Sequence, residues 1–419
     1  MTIPFEFVTD TFFASCPFGL ESVLMEELTE LNANDLKRSR KGVEFKCSNL
    51  QALKIAFNSR ISSRINKKLF SFDIIDGEDL YRQCMQIDWT KILNLENTFK
   101  INSILINLKG DDPKFKNSMY LSLKIKDAVA DRFRQAFNQR PNIAKDNPDV
   151  ELIATLYKNK ETDNYHLTVS IDLLGFHLSQ RGYRMSRNEA PLKENLAAGL
   201  IRLANWDPEN EVLWDPMCGS GTIALEAVLI EKNIPPSYLK ILNRKNHRFS
   251  YQCSPLFSEC WPAMESYLED EANRIKNLLN TRADFKVWAS DRDQVAIDHV
   301  TNNAKRGRIE KRFRIFQNDF NIKGRHLKQP TLIIMNPPYG KRMSFGNDLE
   351  HFYFQLSERL KQNYSEHRAF ILSGDEQLRQ AMTIKAASKK DVHNGNIECK
   401  FLDYTVKQRD EYGEVNGNC

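Results

Sequence analysis

The sequence predicts an α/β protein in which small α+β units precede a doubly wound, mostly parallel sheet. Three observations carry that prediction. From about residue 188 short apolar runs alternate with helical segments. A glycine turn follows the first of those runs, and the first three runs end in an acid. At 419 residues the chain is long enough for two or three domains, and its 41 % hydrophobic content is enough for their cores.

Residues 1–50 open with "FFASCPFGLESVLMEELTEL", where Leu20, Leu24, Leu28 and Leu31 recur at helical spacing after Gly19. "GVEFKCS" then alternates as a strand, so a small α+β unit is expected. Across 51–175, strands such as "FKINSILINL" surround a long helix, "MYLSLKIKDAVADRFRQAF". There Leu121, Ile125, Val129, Phe133 and Phe137 make one apolar stripe, expected to face a core. "RPNI" stops this helix, and "HLTVSIDLLGFHLS" resumes strand alternation.

The third region, 176–419, holds the alternating pattern. Its expected strands are "EVLWD", "FKVWASD", "FRIFQND", "TLIIMN" and "RAFILSG". "TIALEAVLIEK", "DQVAIDHVTNNAKR" and "HFYFQLSERLKQNY" supply helices between most of them. "GDDPKFKNS" and the Asn/Lys-rich stretch 385–396 are expected to be plain loops, and 232–284 an insertion. No internal repeat or low-complexity tract is present.

Net charge is only +5, but basic residues cluster at 37–46, 60–68, 180–187, 239–248 and 305–314. Such clusters suit phosphate contacts, or else form solvated faces with no partner. The eight cysteines contain no C-x-x-C pair and no His or Cys set at zinc spacing, so no metal is expected. Scattered cysteines, no basic leader and no membrane-length apolar run lead to the expectation of a soluble cytoplasmic protein.

"LWDPMCGSGTIALEA" carries the strongest chemical signal. A strand delivers Asp215 to its carboxyl edge, Gly219 and Gly221 allow a tight turn, and Thr222 opens a helix. That crevice of a doubly wound sheet receives nucleotide-like ligands. Neither the phosphate loop nor the dinucleotide fingerprint is present, and an acid ahead of the glycines would repel phosphate. It would suit a cationic amino-acid group, so the expected cofactor is a nucleoside carrying an ammonium, the shape of S-adenosylmethionine. Asp291 ends the second strand and could accept ribose hydroxyls; Asp319 ends the third and could accept from an adenine amine. One strand-end Asp could equally be a helix cap. Three in register beside a glycine turn are harder to explain that way.

"TLIIMNPPYGKR" places Asn336 at the end of the fourth strand, stiffened by Pro337 and Pro338 and followed by Tyr339. The Asn336 side-chain oxygen and the Pro337 carbonyl could accept both hydrogens of a planar exocyclic amine, and Tyr339 could stack on its ring. Positioning of this kind would need no strong general base.

"DPMCGSGT" with "NPPYG" resembles the class I S-adenosylmethionine-dependent amino-methyltransferases, which act on DNA adenine, protein glutamine or RNA guanine. "NSMYLSLKIKDAVADRFRQAFNQRPNI" with "LTVSIDLLGFHLSQRGYR" looks like a THUMP domain, an RNA-binding module. "EAPLKENLAAGLI" resembles the helix before the glycine motif in THUMP-containing guanine-N2 methyltransferases. The match covers nearly the whole chain and is closest to enzymes acting on large-subunit (23S) ribosomal RNA.

The resemblance implies a ferredoxin-like piece, a THUMP domain, and a Rossmann-like seven-stranded methyltransferase domain whose last, antiparallel strand is "NIECKFLDYTV". It implies that Asp215, Cys218, Gly219, Ser220, Gly221 and Thr222 line the cofactor, Asp291 its ribose and Asp319 its adenine. Asn336, also near the cofactor, would hold the target base with Pro337, Pro338 and Tyr339. The implied partner is ribosomal RNA, naked or in an assembling large-subunit particle. Some members carry a second methyltransferase domain; this chain ends at Cys419 without one, so that second activity is not expected. A methyltransferase acting on another amine (tRNA guanine, DNA adenine or protein glutamine), and a non-catalytic RNA-binding ribosome-assembly factor, are the competing readings.

Overall fold

The computed structural model describes residues 10–108, 112, 114–115, 117–159, 164–184, 192–281, 285–322, 327–338 and 348–405. They form two compact units. The first takes in the described parts of Met1–Cys16, Leu24–Gln180 and Pro236–Ile275; the second those of Pro17–Val23, Arg181–Pro235 and Lys276–Cys419.

The first unit is built on one eight-stranded sheet, of β1 (Thr11–Ser15), β2 (Asn34–Ser39), β3 (Gly42–Lys46), β4 (Arg64–Ile74), β5 (Thr98–Ile106), β6 (Asn142–Ile143), β7 (Val150–Lys158) and β8 (Tyr165–Asp172), in the order β2-β3-β1-β4-β8-β7-β5-β6. The eleven-residue β4 joins its halves, pairing antiparallel with β1 on one side and β8 on the other. The long helix Ser118–Phe137 is capped by the Asn117 side chain on the Tyr120 N–H and by left-handed Asn138 at its other end. Its stripe is shorter than the spacing suggests: Leu121, Ile125, Val129 and Phe133 are buried, but Phe137 is 48 % exposed because the helix ends there.

Residues 236–275, read from sequence as part of an insertion, pack within this first unit. The Tyr251 N–H donates to the Leu173 carbonyl at 2.9 Å, and the Ser254 hydroxyl to the Ile92 carbonyl at 2.7 Å. The Asn97 amide donates to the Cys253 carbonyl, and the Phe249 ring meets Phe57 edge-on at 4.9 Å.

The second unit holds a seven-stranded sheet of β9 (Val212–Asp215), β10 (Val287–Asp291), β11 (Arg314–Gln317), β12 (Thr331–Met335), β13 (Arg368–Ser373), β14 (Ser388–Asn394) and β15 (Ile397–Asp403). The order is β11-β10-β9-β12-β13-β15-β14. β9 to β13 are parallel; β15 is antiparallel to both its neighbours. The chain steps outward through β9, β10 and β11, then returns to the other side of β9 with β12. The crevice between the β9 and β12 carboxyl ends is therefore the switch point where such sheets take ligands.

One expectation fails here. The stretch 385–396 is not a loop: Ser388–Asn394 is an edge strand, closed onto β15 through Gly395 at φ +67°. Residues 388–391 are exposed and include Lys389 and Lys390, so no buried alternation marks the strand in the sequence. Charged side chains on an edge also discourage pairing with another chain.

Candidate active site

The turn after β9 is held by backbone bonds. The Cys218 N–H donates to the Ser290 carbonyl at 3.0 Å, and the Gly221 N–H to the Cys218 carbonyl at 2.7 Å. Gly219 and Gly221 both lie in the left-handed region, at φ +50° and +83°, which favours glycine. Their surroundings differ. A Cβ on Gly221 would meet Val300 Cγ2 at 2.2 Å, whereas one on Gly219 would enter open space. Gly221 is thus a close-packing residue at the start of the helix Thr222–Glu231, and it is not among the cavity-lining residues.

Two adjoining cavities open beside the turn and share Met217, Gly219, Asp293, Ala296 and Asn336. One, of about 270 Å³, is lined further by Asp215, Cys218, Ser220 and Thr222. The other, of about 360 Å³, reaches Asp291, Asn318, Asp319, Phe352, Pro337 and Pro338. The structure thus brings together every proposed site residue except Gly221 and Tyr339, which lies outside the described residues.

Asp215 is 2 % exposed, with the Met217 N–H on Oδ1 at 3.3 Å. Burial pushes its carboxyl well above the ordinary range; the Met217 N–H opposes this and the Asp291 charge adds to it. Asp291 ties the turn to β10: Oδ2 accepts the Gly219 N–H at 3.0 Å and Oδ1 the Asp293 N–H at 3.1 Å. Asp319 does not end a strand, since β11 stops at Gln317; it sits in the following loop and accepts the Asn321 N–H at 2.9 Å. Burial, helped by the Asp215 and Asp291 charges, raises the Cys218 thiol well above its usual value, which makes it a poor nucleophile.

Two polar atoms in the larger cavity are buried without a hydrogen-bond partner among the described residues, Asn336 Oδ1 and Asn318 Nδ2. Buried polar groups are ordinarily paired, so a ligand with a donor and an acceptor fits this end. Pro338 is fixed from behind, its carbonyl accepting the Tyr353 hydroxyl at 3.3 Å.

A buried network supports the glycine helix. Arg181 donates from Nε and Nη2 to the two oxygens of Glu226 at 3.2 and 3.1 Å, both side chains fully buried, and the Tyr183 hydroxyl joins at 3.0 Å. Arg184 donates to the Thr222 hydroxyl oxygen at 2.6 Å and faces Glu194 at 3.5 Å. Sequence reading counted Arg181 and Arg184 in a basic cluster; their charge is used internally. It also missed Asp293, Asn318 and Phe352. Asp293, two residues after Asp291 and capping the helix Gln294–Arg306, had a readable signal; Phe352 had none.

With the site described, family models match three stretches: an RlmL ferredoxin-like domain over 11–66, a THUMP domain over 76–162, and the UPF0020 family, the RMKL-like methyltransferase domain, over 181–403. The last spans more than half of the chain, and the chain belongs to this methyltransferase family. Among its relatives, "Ribosomal RNA large subunit methyltransferase K/L" of Shewanella amazonensis is 33 % identical over 94 % of this chain but only 53 % of that protein. The chain spans about half the length of the K/L relatives. "Putative RNA methyltransferase slr0064" of Synechocystis is 31 % identical over 97 % of this chain and 99 % of its own. The solved structure of SMU.472, "a putative methyltransferase complexed with SAH", superposes with a TM-score of 0.77 at 24 % identity, covering 96 % of this chain and 99 % of its own. The fold is that of the Rossmann-like S-adenosylmethionine-dependent methylases.

Proposed function

We propose that this protein transfers a methyl group from S-adenosylmethionine to the exocyclic N2 amine of a guanine in large-subunit (23S) ribosomal RNA. The observation that carries the reading is Asn336 Oδ1, buried and unpaired among the described residues, in a cavity continuous with the glycine turn. With the Pro337 carbonyl it offers two acceptors to the two hydrogens of a planar amine, aiming the nitrogen lone pair. Tyr339 follows immediately and would stack on the base ring, worth about 1–3 kcal/mol.

The rest of the site fits the cofactor. Gly219 leaves open space where a side chain would intrude, and the Asp215 carboxylate would take the ammonium. Each Asp291 oxygen, already accepting one N–H, keeps a lone pair for a ribose hydroxyl. Asp319 and the unpaired Asn318 amide match the donor and acceptor edge of adenine. Cys218, Ser220, Gly221 and Thr222 shape the turn and helix start around the amino-acid end. When bound, the cofactor supplies an electrophilic sulfonium methyl; the protein's part is positioning, for which no strong base is required.

The THUMP match and the relatives named for ribosomal RNA favour RNA over DNA or protein, with ribosomal RNA, naked or in an assembling particle, as partner. A guanine within folded RNA must be extruded, costing a few kcal/mol that stacking and the amine bonds offset. The test compares transfer from labelled cofactor to RNA, duplex DNA and protein by wild type and Asn336→Ala. Label is expected in RNA alone, with turnover of the variant lower by about 10²–10³ and cofactor still bound. Label in DNA or protein instead would overturn the reading.

A further inference from the structure

A cavity of about 560 Å³ in the first unit is unrelated to the glycine turn. It is lined by Arg244, Lys245, His247, Arg248, Phe249 and Glu265, among others, all within the 236–275 segment. We propose that it is an additional binding site, taking phosphate groups of an RNA backbone.

The charges are not equivalent. Arg244, whose side chain is 7 % exposed, is neutralised internally by Glu265 at 3.8 Å and by Glu269. Lys245 and Arg248 are exposed and three residues apart across the turn Arg244–Asn246. Lys245 has no ion pair among the described residues. The nearest acid to Arg248 is Asp149 at 3.7 Å, whose other oxygen already accepts the Thr98 N–H and hydroxyl at 2.7 and 2.8 Å. The three cations meet Glu265 in the lining and Glu269 and Asp149 beside it, so Lys245 is the charge left without an ion pair among the described residues, and Arg248 holds only the long contact to Asp149. His247 stands edge-on against Phe249 at 4.8 Å; burial and then Lys240 lower its pKa, so it adds a hydrogen-bonding ring rather than a charge.

A cavity open to solvent, with the exposed Lys245 and Arg248 on its wall, suits phosphates carried on a chain, because the rest of the ligand can leave through the mouth. The segment is inserted in the sequence of the methyltransferase region, yet it packs with the unit that contains the THUMP match. This places the cavity on an RNA-binding body. The inference rests on the RNA reading above, and its test separates the two.

An unmodified 23S ribosomal RNA transcript is titrated with wild type, Lys245→Ala/Arg248→Ala and a control, Lys389→Ala/Lys390→Ala, which removes the same charge from an exposed edge strand. Affinity is followed against salt. Two lost phosphate contacts should reduce the slope of log affinity against log salt by about 1.4–1.8, with the control unchanged. Equal slopes for wild type and the Lys245/Arg248 variant would overturn the site, as would an equal loss in the control. If wild type bound neither the transcript nor large-subunit particles from cells lacking the protein, the RNA reading would fall as well.

Discussion

Asp215 joins a readable sequence position to a property the sequence does not carry. Its place after an apolar run and before the glycines was legible; its isolation, with one backbone N–H as its hydrogen-bond donor among the described residues, is a product of packing. Because burial raises its pKa, a bound ammonium should draw it down again. Protons are then released on binding, and affinity rises with pH between the free and bound pKa values. Calorimetry with S-adenosylmethionine at pH values below the titration of its own ammonium, in buffers of different ionisation enthalpy, should detect that release, and Asp215→Asn should lose it. Binding independent of pH in wild type would refute the ammonium role. Arg184 gives a second expectation. By donating to the Thr222 oxygen it leaves the Thr222 proton free to point into the smaller cavity. Arg184→Ala should weaken cofactor binding about 10-fold, the scale of one charged hydrogen bond, with partial rescue by Arg184→Lys. Unchanged affinity would make the contact structural only. Arg184 escaped sequence reading because its partner lies far along the chain.

At the scale of elements, the glycine turn separates two requirements that the sequence presents as one motif. Gly221→Ala forces a Cβ against Val300 and also strains a left-handed backbone, so it should destabilise the protein by about 2 kcal/mol or more in urea unfolding. Gly219→Ala carries only the backbone cost, about 1 kcal/mol, but its methyl enters the ligand space, so cofactor affinity should fall much more than stability. Equal effects on both readouts for both variants would contradict the division. Strands β4, β7 and β8 are pinned by Arg64, which pairs with Glu151 at 2.7 Å and with Asp172. Burial pushes the Asp172 carboxyl up to about 6, against the pull of Arg64. The folded-state value exceeds the unfolded one, so this group favours folding below about pH 4, and that contribution is lost as pH rises through about 6. Wild-type stability relative to Asp172→Asn should fall as pH rises through that window; a flat difference would show that Arg64 holds the carboxyl ionised throughout. The parallel strands were legible from buried apolar runs, whereas β14 was hidden because an exposed edge needs no alternation.

Across the whole molecule, local motifs were readable and long-range association was not. The strand-end residues and the glycine turn lie within short stretches, so the crevice could be drawn before its geometry was known. The membership of 236–275 depends on pairs such as Asn97 with Cys253, 156 residues apart, which no local pattern encodes. The two amide atoms in the larger cavity without a partner among the described residues, Asn318 Nδ2 and Asn336 Oδ1, likewise emerge only once the strands are placed. Together with the THUMP match they fit the chemistry we propose, methylation of a guanine amine in ribosomal RNA. Its most direct test is methyl transfer from labelled cofactor to ribosomal RNA, free and in large-subunit particles from cells lacking the protein, with the nucleosides resolved by chromatography. The account predicts label in N2-methylguanosine; label in another nucleoside, or none on either substrate, would contradict it.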